Sequence, residues 1–130
     1  MLVVAIDDDP ALLSLYQAAL ESAGVRVEGA SEAARGLELV EQLNPDLVFV
    51  DLVMPGMNGM EVLRRIRQLN IRTQVVMVTG NYSIETAVEA IREGATDYIC
   101  KPIGPAKLRE IVEQVRSATS RQARDRKSVV

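Results

Sequence analysis

The stretch Asp46-Leu47-Val48-Phe49-Val50-Asp51-Leu52-Val53-Met54-Pro55-Gly56-Met57-Asn58-Gly59 decides how this chain folds. Its first part is a short apolar run rich in Val and Phe, a composition that suits a strand buried on both faces. The run ends abruptly in a carboxylate, Asp51. Turn-prone Pro55-Gly56 and Asn58-Gly59 follow, and then residues at helical spacing. Asp51 therefore belongs at the carboxyl end of a central strand, at the mouth of a loop. Open α/β sheets bind their ligands at such places.

The flanking sequence repeats this strand–turn–helix unit. Leu2–Ile6 reads as a buried strand, followed at once by Asp7-Asp8-Asp9. Asp9 is a suitable N-cap and Pro10 a suitable first helical residue. Leu12, Leu15, Tyr16, Ala19 and Ala23 recur at helical spacing, and Gly24 closes the helix. Val25–Gly29 reads as a second strand. Ser31 is the expected cap of a helix with Ala33, Leu37 and Val40 inside, stopped by Asn44-Pro45. After the central strand, a helix over Gly59–Leu69 is expected to bury Leu63, Ile66 and Leu69. Gln74–Val78 is a β-branched strand ending in Thr79-Gly80. Ser83 is the expected cap of a helix carrying Ile84, Ala87, Val88 and Ile91, ended by Gly94. Thr96–Cys100 is a last strand, ending in Lys101-Pro102, and Gly104-Pro105 opens a helix with Leu108, Ile111, Val112 and Val115. Five strands alternating with five helices imply an α/β fold: a parallel sheet covered by helices on both faces. Right-handed crossovers and five strands favour the flavodoxin-like order 2-1-3-4-5.

Composition narrows the function classes. The 130 residues carry a net charge of −3 and contain one cysteine and no histidine. The missing histidine excludes a His-based triad and a His-ligated zinc site within the chain. A single cysteine, Cys100, makes no internal disulfide, which points to a reducing, cytoplasmic setting. No apolar run has the roughly 20 residues that a membrane helix needs, and the first residues lack a basic start. Residues 119–130 hold Arg121, Arg124, Arg126 and Lys127 against Asp125, a net +3 that leaves the body at −6. An acidic body argues against direct nucleic-acid binding by the domain. The basic segment reads as a tail or the start of a linker after a domain of residues 2–118.

In the order 2-1-3-4-5 the carboxyl ends of the strands share one edge. That edge receives Asp7 and Asp8, then Asp51, Thr79 and Lys101. Clustered carboxylates repel, so at neutral pH they call for a cation or shared protons. All-oxygen ligands without His or thiolate favour Mg²⁺. Lys101 supplies the opposite charge and Thr79 a hydroxyl donor, so an anion placed on Asp51 would be clamped. A carboxylate acts as a nucleophile toward phosphorus to give an aspartyl-phosphate, with the developing charge spread by Mg²⁺ and Lys101.

These residues together resemble the receiver domain of bacterial two-component response regulators. The resemblance covers about residues 2–118 and rests on Asp7-Asp8, Asp51 with Pro55 and Gly59, Thr79-Gly80, and Lys101-Pro102. It implies that Asp51 is the phosphoacceptor, served by a histidine kinase in trans. It implies that Asp8 ligates Mg²⁺ directly, Asp7 mainly through water, and the Val53 carbonyl as a further ligand. Thr79 and Lys101 would hold the phosphoryl group. Tyr98 would be the switch aromatic that turns inward as Thr79 moves, and the Lys101-Pro102 bond is often cis in the family. The surface of the fourth helix, fifth strand and fifth helix would then change its partner, its output domain or its self-association, as in a homodimer formed on phosphorylation. The wording from Thr86 to Tyr98 is similar to receivers of nitrogen-regulator-like transcription activators, so the chain is expected to be an excised receiver or a stand-alone regulator. Val53 and Asn81 would tune the lifetime of the phosphate.

Other readings of the same residues remain open at this level. Asp7-x-Asp9 has the spacing of haloacid-dehalogenase-type phosphatases, but Ala11 departs from that motif and the later acidic pair is missing. A flavin-binding domain shares the architecture but needs a Gly/Ser/Thr-rich loop where three acids stand. A receiver-like docking module that is never phosphorylated is a further alternative. Cys100 reads as a small buried hydrophobe and Met54, Met57 and Met60 as gap fillers.

Overall fold

The computed structural model describes residues 1–69 and 72–128, with side chains through Ala118. Five strands, β1 (Leu2–Ile6), β2 (Arg26–Ala30), β3 (Leu47–Asp51), β4 (Gln74–Thr79) and β5 (Asp97–Cys100), alternate with five helices. The helices are α1 (Pro10–Glu21), α2 (Ala33–Leu43), α3 (Gly59–Leu69), α4 (Ile84–Arg92) and α5 (Pro105–Ser128). The sheet is parallel throughout, in the order β2-β1-β3-β4-β5, as the alternation of elements requires. The expected division after residue 118 falls within α5, whose backbone stays helical to Ser128. The side chains of the basic segment 119–130 lie outside the described residues.

Local chemistry sets the helix ends. The Asp9 carboxylate accepts from the Ala11 N–H at 2.9 Å, with Pro10 in the first turn where no N–H is needed. Ser83 accepts from the Thr86 N–H at the start of α4, and Asn58 accepts from the Glu61 N–H at 3.0 Å at the start of α3. Asn44, in the left-handed region at φ 49°, ends α2. Ser31 does not cap α2: Glu32 stands at the cap position in an extended conformation and makes no side-chain cap bond.

Strand alternation divides the core into two layers. On one face Val3, Ala5, Phe49, Val76 and Val78 meet α1 and α5; Tyr16 of α1 packs on Phe49 with ring centroids 4.9 Å apart. On the other face Val4, Ile6, Val48, Val50, Met77 and Tyr98 meet α2, α3 and α4. Met54 and Met60 are buried in this second layer and Met57 packs against it, as gap fillers should.

Three placements differ from expectation. Leu69, in the last turn of α3, is exposed, because it lies beyond the part of the helix that covers the sheet. On α4 the small residues face inward: Ala90 is fully buried and Ala87 packs against the core. The bulky Ile84, Val88 and Ile91 are exposed. Cys100 is exposed, because it ends the edge strand β5 beyond the cover of a neighbouring helix. Among the described residues no helix is long and apolar enough to cross a membrane.

Candidate functional site

The pairing register gathers the polar residues. Ile6 lies opposite Val50, so the next step along β1 and β3 sets Asp7 beside Asp51. Both follow the alternation of Ala5 and Phe49, on the α1/α5 face. On the far side Thr79 pairs with Cys100, and the Lys101 N–H donates to the Thr79 carbonyl at 2.7 Å. Lys101 thus begins the loop after β5 on the same face as the two acids. Its Nζ lies 3.0 Å from Asp7 Oδ2 and 3.5 Å from Asp51 Oδ2. The Lys101-Pro102 bond is cis.

The loop after Asp51 is held by its backbone. The Val53 N–H donates to Asp51 Oδ1 at 3.3 Å, and the Gly59 N–H donates to the Leu52 carbonyl at 2.7 Å. A Cβ on Gly59 would lie 2.5 Å from the Asp51 carbonyl oxygen and 2.7 Å from the Leu52 Cα. Only glycine lets α3 start this close to the end of β3.

The electrostatics follow from burial. Asp7 and Asp51 are 1% and 5% exposed. Burial, and next the negative charge of Asp7, push the Asp51 carboxyl up from 3.8 to about 6; Lys101 and the Val53 N–H pull the other way. Burial lowers the Lys101 pKa, but its contacts with Asp7 and Asp51 outweigh this and hold it above the usual lysine value. Tyr16 lies close enough to feel both acids: burial first, then Asp7 and Asp51, raise its phenol. This places Tyr16 under the acidic cluster, a position that helical spacing alone marked only as core.

The donor set fits a hard cation. Asp7, Asp8 and Asp51 each offer a carboxylate oxygen, and these oxygens lie within 4.8 Å of one another. Asp7 Oδ2 meets the Lys101 ammonium at 3.0 Å, and three carboxylates against that one ammonium leave net negative charge for a further positive partner. Oxygen-only ligands with net negative charge suit Mg²⁺ better than zinc or copper. Asp9, by contrast, is exposed and turned to its capping bond. The pair expected of a phosphatase, Asp7 and Asp9, is therefore not brought together over one site.

Thr79 is 1% exposed, and its hydroxyl engages its own loop: Oγ1 accepts from the Asn81 N–H at 3.1 Å and donates to the Asn81 carbonyl at 3.3 Å. Val53 is 70% exposed beside the site. Tyr98 lies inward at 8% exposure, and its buried hydroxyl has no hydrogen-bond partner among the described residues. Tyr82, which the sequence reading passed over, meets Tyr98 edge-on with centroids 5.2 Å apart. Its sequence signal was an aromatic set among polar loop residues three places after Thr79.

Comparison with known proteins bears on this arrangement. Residues 3–113 match the response regulator receiver domain family. The transcriptional regulatory protein TrcR of Mycobacterium tuberculosis is 31% identical over 121 residues, covering 93% of this chain and 46% of that protein. The transcriptional regulatory protein ZraR of Klebsiella oxytoca is 38% identical over 106 residues, covering 82% of this chain and 24% of that protein. The chain therefore spans less than half the length of these two curated relatives. Among solved structures, a CheY-like receiver domain protein from Methanospirillum hungatei superposes with a TM-score of 0.84 at 32% identity, covering 95% of this chain and 97% of that one. NtrX from Brucella abortus gives a TM-score of 0.87 at 30% identity, covering 99% of this chain and 29% of that one.

Proposed function

The chain belongs to the response regulator receiver domain family, and from that premise we propose that it is a phosphorylation-operated switch with Asp51 as the phosphoacceptor. The observation that carries this is the ammonium of Lys101 set against the buried carboxylates of Asp7 and Asp51 at the carboxyl edge of the sheet. A histidine kinase in trans presents a phosphohistidine. A carboxylate oxygen of Asp51 attacks phosphorus, an O–P bond forms, and the P–N bond to the imidazole breaks. Asp7, Asp8, Asp51 and the main-chain carbonyl of Val53 would hold Mg²⁺, which when bound supplies positive charge to the phosphoryl oxygens. Lys101 exchanges a carboxylate for the phosphoryl group, and Thr79 turns its hydroxyl from Asn81 toward it. The chain's own residues then speed or slow the loss of the phosphate, with Val53 and Asn81 beside it.

The output is read from the face that includes α4, where Tyr82, Ile84, Val88 and Ile91 are exposed and line a groove. Ile84, Val88 and Ile91 have the i, i+4, i+7 spacing of a helix-packing seam. We assign this surface to an output domain, a partner protein or a second phosphorylated copy, within cytoplasmic transcription regulation. Residues 2–118 form the receiver in this reading, and 119–130 are a basic tail or the start of a linker.

The test is intact mass with peptide mapping after incubation with acetyl phosphate and Mg²⁺, for wild type and Asp51→Asn. One phosphoryl group on Asp51, dependent on Mg²⁺ and absent from the variant, is the expected result. No addition, or addition on Asp7, would overturn the proposal.

A further inference from the structure

We propose that Asp9 is a specificity-determining residue of the phosphotransfer: its carboxylate, fixed at the rim of the site, disfavours small phosphodonors that carry two negative charges against those that carry one. This rests on the reading of Asp51 as the phosphoacceptor, and it concerns which donors that site accepts.

The acids at this edge of the sheet divide three to one. Asp7, Asp8 and Asp51 offer carboxylate oxygens within 4.8 Å of one another. Asp9 stands apart: it is exposed, and its carboxylate accepts from the Ala11 N–H at 2.9 Å as the N-cap of α1. Pro10 stiffens the next position, and the Asp9 N–H donates to Asp7 Oδ1 at 2.8 Å. Bonds on both its side chain and its backbone thus hold the Asp9 charge at a set place beside Asp7. Among the described residues no ion pair neutralises it, and Lys101, the cation of this edge, is engaged by Asp7 and Asp51.

Asp9 also borders a way in. With Leu12, Leu15, Pro102 and Ile103 it lines a hollow that reaches Lys101, and Lys101 Nζ lies 3.5 Å from Asp51 Oδ2. A small anion that moves to Asp51 by this hollow passes Asp9 at close range. One that arrives elsewhere still meets its field, because at low ionic strength the Debye length is about 30 Å. Val53 and Asn81, which also flank the site, carry no charge. Asp7, Asp8 and Asp51 are the acids that would hold Mg²⁺, so the repulsion left for an incoming donor is that of Asp9.

Two donors separate charge from structure. Acetyl phosphate carries two negative charges at pH 7.5 and releases acetate as its phosphorus bonds to an Asp51 oxygen. Phosphoramidate carries one and releases ammonia in the same displacement. Rate constants for uptake are read by intact mass at low ionic strength, with Mg²⁺ saturating for each protein. Asp9→Asn keeps the cap and removes the charge. Acetyl phosphate is expected to react about two- to fourfold faster with it, and phosphoramidate about 1.4- to twofold faster. In about 1 M salt, where the Debye length is about 3 Å, variant and wild type should converge. Asp9→Glu keeps the charge on a side chain that caps poorly, as Glu32 does at α2, and its donor ratio should stay at the wild-type value. Asp9→Ser, a second neutral cap, replaces Asn if thermal melting shows that Asn does not fold. A donor ratio unchanged in Asn, a change that survives high salt, or Glu behaving like Asn would each overturn the proposal. Uptake on Asp51 with an unchanged ratio leaves the phosphoacceptor reading standing, whereas no uptake by wild type from either donor removes both.

Discussion

Replacing Asp51 with Asn should make the cation-free protein more stable at neutral pH and leave it almost unchanged in acid. The Asp51 carboxyl is raised from 3.8 to about 6, by burial first and by Asp7 second. In the unfolded chain it ionises near its ordinary value. Between these two values the folded state keeps a proton that the unfolded state has released, so stability falls as pH rises through the window from about 4 to about 6. Above it the full penalty is present, and below it there is none. The gap corresponds to about 3 kcal/mol, and we take about 1–3 kcal/mol because the loop mouth admits water. Asparagine keeps the shape and removes the charge, and Lys101 retains Asp7 at 3.0 Å. At about 3–5 °C per kcal/mol for a domain of this size, the variant should melt about 3–15 °C higher at pH 7.5. The assay is thermal unfolding by circular dichroism in EDTA, with wild type and variant compared at pH 4 and pH 7.5. Mg²⁺ should then raise the wild type at pH 7.5 and narrow the gap. A variant that melts with wild type at pH 7.5, or gains equally at both pH values, would refute the idea that Asp51 is held ionised against its surroundings.

Four further outcomes follow from the same geometry. Lys101→Met leaves Asp7 and Asp51 facing each other without their cation; it should cost about 2–3 kcal/mol in EDTA, with Mg²⁺ restoring part, read by thermal melting. Gly59→Ala forces a methyl against the backbone of Asp51 and Leu52; we expect a loss of about 1–3 kcal/mol in urea unfolding and slower uptake of phosphoryl from acetyl phosphate. Tyr98→Phe removes a buried hydroxyl without a partner and should stabilise the fold by about 1 kcal/mol in the same urea assay. Val53→Asn sets an amide beside the site at a position 70% exposed; it should orient water and shorten the phosphate lifetime severalfold, and an unchanged decay by intact mass would count against a role for that position.

The strand ends were legible because each apolar run stops at a residue that cannot be buried alone. Asp7, Asp51 and Lys101 announce themselves in this way, and the parallel order sets them on one edge. Strand limits came within a residue, with β3 and β4 running on through Asp51 and Thr79. The faces of helices were harder to read. On α4 the apolar residues form two stripes, and the bulkier one suggests the core. Ala87 and Ala90 face the core, and Ile84, Val88 and Ile91 are left outside. Cys100 misled for a related reason: strand alternation sets it on the same face as Tyr98, but on the edge strand the covering helix does not reach that far. Tyr82 was invisible because its contact is with a residue 16 positions away in sequence, and no local pattern encodes that distance.

In the proposed switch the same alternation separates chemistry from readout within one sheet. Asp7, Asp51 and Lys101 continue the face of Ala5, Phe49 and Ile99, under α1 and α5. Thr79 and Tyr98 continue the face of Val75 and Met77, under α3 and α4. A charge added to Asp51 therefore appears on the wrong side of the sheet to touch Tyr98 or the exposed stripe of α4 directly. It needs a group at the strand end, where the pleat stops and a side chain can turn from one face toward the other. Thr79 is the last residue of β4, the neighbour of β3, and among the described residues its hydroxyl is held by two bonds to the next turn of chain. A residue one place earlier, Val78, lies on the acid face and would have no hold on the α4 loop. A residue one place later has left the sheet and would have no fixed distance to Asp51. The position of the hydroxyl is thus fixed by parity and by strand length together: a one-residue slip of β4 would turn Thr79 to the acid face and exchange the buried side chains of the two layers.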